Sequence, residues 1–323
     1  MPVRVPLAQF ELDRTPGTTD VLVSAGTDPP LDLPLIAIVG ARPGPLVCAA
    51  AGVHGDEYEG PRALWELARD LPASSLQGSV ALLPVCNPWA FAAGSRATPE
   101  AVDGINLARI FPGDPGGRPT QRLAAELLEF VVRQRPALFV DLHSGGVRYH
   151  FLPVVGYRRG LGDPARSQAA ARAFGVPHLW ELRDHPGTFN AEVARRGIPT
   201  VGTEMSGMGG CLDEDVAATR NGVLNLLRWL GMLRDRPAPQ VPGPFWRTTD
   251  LPTPSAGYAV IDRGVGETVR QGETVARVLA PFGEALGDAR APHDGRVWVT
   301  RHLRTIESGE TLAAVARPVD DGG

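Results

Sequence analysis

The chain has 323 residues, 43% of them hydrophobic, which is enough to bury a full core as one large domain or two. No apolar run is long enough to span a bilayer, and a formal net charge of -4 gives no basic footprint, so neither membrane nor nucleic-acid partners are expected. All 32 basic residues are arginine, which excludes chemistry that needs a lysine amine, such as a pyridoxal Schiff base or a tethered biotin or lipoate.

Met1 is not followed by a basic region, an apolar stretch and a small-residue cleavage site, so the cytoplasm is the expected compartment. Residues 1–34 alternate weakly and carry Pro16, Pro29, Pro30 and Pro34, suggesting a strand or two at a sheet edge. Residues 35–40 read as the first clear strand. Residues 46–51 read as a buried parallel strand that stops at His54-Gly55-Asp56-Glu57. Such a loop, at the C-terminal end of a strand, is where open α/β sheets place their chemistry. Residues 61–69 have apolar side chains at helical spacing with Pro61 in the first turn, so a helix follows the loop.

Residues 79–85 form the next expected strand. Residues 90–119 then break into glycine, proline and arginine over a length that marks a functional loop. A helix over 118–135, with Leu123, Leu127, Leu128, Val131 and Val132 on one face, leads into a strand ending in Asp141-Leu142-His143-Ser144. Residues 146–164 are irregular. Helices are expected at 165–174, capped by Gly175, and at 188–196. A strand over 198–204 again ends in a carboxylate, Glu204, and a long helix over 215–233 closes the region. Strands alternating with helices predict a mostly parallel mixed sheet flanked by helices.

Residues 236–244 are proline-rich and read as a linker between a domain over 1–235 and one over 245–323. Truncation there is expected to leave a folded domain. Beyond it, short strands and turns take over. Val269-Arg270-Gln271-Gly272-Glu273-Thr274 recurs approximately as Ile306-Glu307-Ser308-Gly309-Glu310-Thr311, which resembles a lipoyl-like barrel-sandwich module without its lysine. Cys48 and Cys86 lie in apolar runs and read as buried free thiols, with Cys211 a bystander.

His54 and Glu57 supply two of the three protein ligands that a catalytic zinc takes, and His143, at the end of a second strand, supplies the third. Asp141 stands where a carboxylate orients an imidazole. Either segment alone reads as an ordinary core or surface histidine; the pair, with a carboxylate between them, reads as a metal site. Glu204 is the candidate base, and hydrolysis of an amide also needs cations, for which Arg96 and Arg109 in the irregular loop are available.

His54-Gly55-Asp56-Glu57, the segment from Asp103-Gly104-Ile105-Asn106 to Arg109-Ile110-Phe111-Pro112-Gly113, Asp141-Leu142-His143-Ser144, and Gly202-Thr203-Glu204 resemble, in that order, the succinylglutamate desuccinylase and aspartoacylase family of zinc carboxypeptidase-like hydrolases. The resemblance implies one zinc ion per chain on His54, Glu57 and His143. It further implies Glu204 as general base, Arg96 as a catalytic cation, and Arg109 with Asn106 at the substrate. Ala108 departs from the motif, which has asparagine there.

The implied activity is hydrolysis of the amide bond of a small N-acylated amino acid or amine. A carboxypeptidase acting on peptides and a non-catalytic binding protein on the same scaffold are the alternatives, and assembly as a homo-oligomer is left open. No Gly-x-Ser-x-Gly is present for a serine hydrolase. His185, before Pro186-Gly187-Thr188, is the further histidine expected to face the site; His150, His178, His293 and His302 are expected at the surface.

Overall fold

Alternation along two neighbouring strands decides the layering. Arg42–Ala50 and Leu138–Ser144 pair in parallel, with Val47, Ala49, Leu138, Val140 and Leu142 in one apolar cluster and Cys48, Ala50 and Phe139 in another. Successive side chains on a strand point to opposite faces, so both faces here are dry and each requires a helical layer. Helices Glu59–Asp70, Pro164–Phe174 and Asp213–Trp229 cover the first face, and Pro119–Gln134 and Phe189–Arg195 cover the second. The structure is a computed structural model and describes residues 3–13, 15–27, 30–236 and 238–319. Met1, Pro29 and Pro237 of the expected elements lie outside the described residues.

Among the described residues, fourteen strands share one mixed sheet. Its centre is parallel, in the order Gln77–Leu83, Arg42–Ala50, Leu138–Ser144, Thr200–Met205. Leu31–Val39 and Gly17–Ala25 extend it antiparallel towards one edge. On the other side Val154–Arg158 joins Thr200–Met205 antiparallel, and His178–Leu182 joins Val154–Arg158 in parallel.

The expected helices fall within two residues of the observed ones at 118–135, 165–174 and 188–196. Gly175 takes the left-handed φ of 101° that its capping position requires. Neither Val154–Arg158 nor His178–Leu182 was expected. Val154–Arg158 is buried along its whole length, so it shows no alternation, and Gly156 and Arg158 interrupt its apolar run.

Beyond the segment read as a linker, pairing becomes antiparallel with one exception. Phe245–Pro252 pairs in parallel with His178–Leu182, Phe245 beside Leu179 and Trp246 beside Trp180. It then pairs antiparallel with Thr311–Pro318, which pairs with Gly295–Arg301, so the sheet runs on across residues 236–244. Trp298, only 1% exposed, packs against Trp180 and Trp246 from either side of that segment. A second sheet of four short strands completes the carboxy-terminal β region. The two copies of the repeated sequence adopt one form, a two-residue strand, a turn and a longer strand.

Candidate active site

The strand Arg42–Ala50 releases the chain into the loop that carries His54 and Glu57. Gly55 in that loop packs onto the helix Pro88–Ala93 so closely that a Cβ would lie 2.0 Å from the Ala90 carbonyl carbon; only glycine allows the approach. His143 and Glu204 come from neighbouring parallel strands, with Glu204 directly beside His143 and Gly202 beside Asp141. The two-residue period puts all four on one face, at the strands' C-terminal end.

His54, Glu57 and His143 present ligand atoms within 4.8 Å of one another. Glu57 Oε1 is 2.6 Å from His54 Nδ1, and Glu57 Oε2 is 2.9 Å from His143 Nδ1. The far nitrogens are also held. His54 Nε2 lies 3.2 Å from Asn106 Oδ1, which also accepts from the Ala108 N–H at 3.0 Å, and His143 Nε2 lies 3.2 Å from Asp141 Oδ1. The oxygens of Asn106, Asp141 and Glu57 only accept, so each ring has an acceptor on both sides and in its neutral form one hydrogen for the two.

A lone pair against a carboxylate oxygen at 2.6 Å is repulsive unless a proton or a cation lies between them. Burial draws the pKa of His54 down to about 4 against the pull of Glu57, so the neutral ring leaves one of its two acceptor contacts without a hydrogen. Two imidazoles and a carboxylate, with Asn106 at the far nitrogen of His54 and the Asp141 carboxylate beside that of His143, fit a catalytic zinc ion. For His143, burial alone would lower the pKa, but Asp141 and Glu57 outweigh it and hold the ring well above its usual value.

Glu204 completes the arrangement. Its Oε2 is buried and has no hydrogen-bond partner among the described residues. Burial, reinforced by the Glu57 charge, pushes its carboxyl up to about 8. Arg96 Nη1 donates to Glu57 Oε1 at 3.0 Å. Arg109 donates to the Ala108 carbonyl at 2.8 Å and, with Ala108, lines the same cavity as His54, His143 and Glu204. Asn106 faces His54 and lines a smaller neighbouring cavity instead.

The main cavity has a volume of about 720 Å³. His185 lines it, as expected from its position before the turn. Arg158, Trp180 and Glu181 line it from the two unexpected strands, and Arg247, Thr249 and Asp250 from the carboxy-terminal region. Glu181 is bound by Arg247 and accepts from the Tyr157 hydroxyl at 3.0 Å, so it is not free for a ligand. A polar residue ending a short buried strand was the one sequence signal for Arg158, and nothing local pointed to Arg247 or Asp250.

The family model of the succinylglutamate desuccinylase/aspartoacylase catalytic domain matches residues 43–230. The chain belongs to the succinylglutamate desuccinylase/aspartoacylase family. One relative, the N-alpha-acetyl-L-2,4-diaminobutyric acid deacetylase of Halomonas elongata, is 33% identical over 303 residues, covering 89% of this chain and 86% of the relative. A succinylglutamate desuccinylase/aspartoacylase structure from Rhodobacter sphaeroides matches with a TM-score of 0.87 at 30% identity, over 97% of this chain and 98% of that one. The product-bound ectoine utilization protein EutE (DoeB) of Ruegeria pomeroyi matches with a TM-score of 0.85 at 30% identity, over 95% and 97% of the two chains. The two matched structures cover both the parallel centre and the carboxy-terminal β region, and the activities named among these relatives are deacetylation and desuccinylation or aspartoacylase activity.

Proposed function

We propose that the chain is a zinc-dependent deacylase that hydrolyses the amide bond of an N-acyl amino acid, with one zinc ion held by His54, Glu57 and His143. One arrangement carries the reading. A buried carboxylate oxygen of Glu204 without a partner opens into the cavity on which two imidazoles and Glu57 converge. The substrate of the Halomonas elongata relative makes an N-acetylated diamino acid the first candidate.

Bound zinc supplies Lewis acidity for the acyl carbonyl and acidifies water. Glu204, whose carboxylate form a bound zinc charge would favour against the burial that raises its pKa, takes a proton from the attacking water as its oxygen bonds to the acyl carbon. It then delivers that proton to the amine nitrogen as the C–N bond breaks, and the new carboxylic acid gives up its remaining proton to the amine, leaving a carboxylate and an ammonium group. Arg96, anchored on Glu57, offers its remaining N–H groups to the acyl oxygen as charge develops there. Arg109 holds the anionic end of the substrate. Asn106 acts through His54, whose Nε2 hydrogen it accepts.

The cavity volume also favours testing short peptides, the carboxypeptidase alternative. A non-catalytic binding protein would have no use for an unpartnered buried carboxylate beside a metal donor set. The test is metal analysis of the purified protein, followed by a screen of N-acetyl, N-succinyl and N-formyl amino acids against short peptides. One zinc per chain and release of a free amino acid are expected. Absence of zinc, or cleavage of peptides alone, would overturn the proposal.

A further inference from the structure

The floor of the cavity holds a cation that this chemistry does not use. Arg158 ends the strand Val154–Arg158, is 6% exposed and lines the cavity. All its hydrogen-bond partners are neutral. Nε donates to Asn190 Oδ1 at 2.6 Å, Nη1 to the Arg183 carbonyl at 2.6 Å and Nη2 to Thr188 Oγ1 at 3.1 Å. Among the described residues no carboxylate comes within ion-pairing distance of it. A guanidinium has five N–H donors, so two remain. Burying a charge is costly, and burial draws the Arg158 pKa down to about 10 although the Asp141 and Asp184 carboxylates, outside ion-pairing distance, pull it the other way.

A second donor stands beside it. Arginine only donates, so Asn190 turns its oxygen to Arg158 and its NH₂ group away. That amide lies over the bare backbone of Gly202, where a Cβ would sit 2.7 Å from Asn190 Nδ2. Gly202 is the residue beside Asp141 and two before Glu204, so the amide borders the metal centre. Nothing among the described residues accepts from Nδ2. Arg109 lines the same cavity, with no carboxylate at ion-pairing distance among the described residues, and its charge adds to that of Arg195 against Asp141 and Asp184 at Arg158.

We propose that Arg158 and Asn190 form, with Arg109, an anion subsite that reads the carboxylate of the substrate and so selects acylated amino acids over acylated amines. This rests on the deacylase reading and names what sets its specificity. Gly202 keeps the subsite open, since any side chain there displaces the Asn190 amide.

The experiment compares zinc-loaded wild type with Arg158→Gln and Asn190→Asp on two substrates, N-α-acetyl-L-2,4-diaminobutyrate and its decarboxylated counterpart N-acetyl-1,3-diaminopropane. Wild type is expected to prefer the carboxylated compound. In each variant the ratio of the two kcat/KM values should fall by about 10- to 150-fold, mainly through KM, as for loss of a hydrogen bond to a charged group. An unchanged ratio in a folded variant overturns the proposal, and so does a wild type with no preference. If Arg158→Gln fails to fold, Asn190→Asp carries the test, because its carboxylate still accepts from Arg158 while repelling the substrate anion.

Calorimetry with free L-2,4-diaminobutyrate and 1,3-diaminopropane separates the two readings. A wild type that prefers the amino acid, loses that preference in the variants and hydrolyses no N-acyl compound keeps the subsite and rejects the deacylase. A wild type that deacylates amino acids, with variants that keep its preference, keeps the deacylase and rejects the subsite.

Discussion

The two halves of the long sheet reach one cavity by different routes. From Gln77–Leu83 to Thr200–Met205 the strands are parallel, so their C-terminal ends share one edge, and His54, Glu57, His143 and Glu204 all gather there. From Phe245 onwards the pairing is mainly antiparallel, and the strand Phe245–Pro252 contributes Arg247, Thr249 and Asp250 from along its length. Parallel packing concentrates function at strand ends, where an apolar run visibly stops. An antiparallel strand contributes through whichever residues its neighbours turn towards the cavity, and that depends on register.

The harshest way to break this comparison is to remove one half. Truncation after Pro242 strips Phe245–Pro252 from one side of His178–Leu182 and takes away Trp298, which packs against Trp180. Loss of the cooperative melting transition is the expected outcome. A truncated protein that still melts cooperatively and binds zinc would show that the parallel centre folds alone, as the proline-rich segment suggests.

Replacing a ligand tests the parallel centre by itself. His143→Ala and His54→Ala are each expected to lose zinc and activity while keeping the melting transition, because two protein ligands hold the ion too weakly. Stoichiometric zinc by metal analysis in either variant would sink the ligand assignment. Glu204→Gln sharpens the same point, since zinc content and melting should be unchanged while kcat falls by roughly 10²- to 10⁴-fold. Near-normal turnover would place the base elsewhere.

The smallest effect concerns how firmly that centre is closed. Cys48 and Cys86 are fully buried, and burial pushes the Cys48 thiol up to about 12 and raises Cys86 likewise. The thiolate is the reactive form, so at neutral pH neither should react while the chain is folded. Mass spectrometry after brief alkylation is expected to find label on Cys211 alone, and on all three cysteines only after denaturation. Label on Cys48 without denaturant would mean that the parallel centre opens more readily than its packing implies.

Much of the candidate metal site is legible because its residues follow apolar strands directly: the run before His54, and those before His143 and Glu204. The helices were legible for a related reason, since a 3.6-residue period and a capping glycine such as Gly175 are local marks. Arg158 escaped because its strand is buried throughout and shows no period. Asn106 was assigned to the substrate from its motif, yet it turns to His54 through a bend set by its own bond to the Ala108 N–H.

By itself, then, the sequence determined what covalent neighbours and periodicity determine, namely the order of strands and helices and the chemistry placed at their ends. Tertiary structure alone decided that Phe245–Pro252 would pair with His178–Leu182 and carry the carboxy-terminal region into the cavity wall. It also decided that Arg158 would lie beneath that cavity with no carboxylate at ion-pairing distance among the described residues. The physical reason is that strand pairing and charge compensation depend on residues far apart in the chain. Neither leaves a period or a spacing in the local sequence, and both appear only once the sheet has chosen its order.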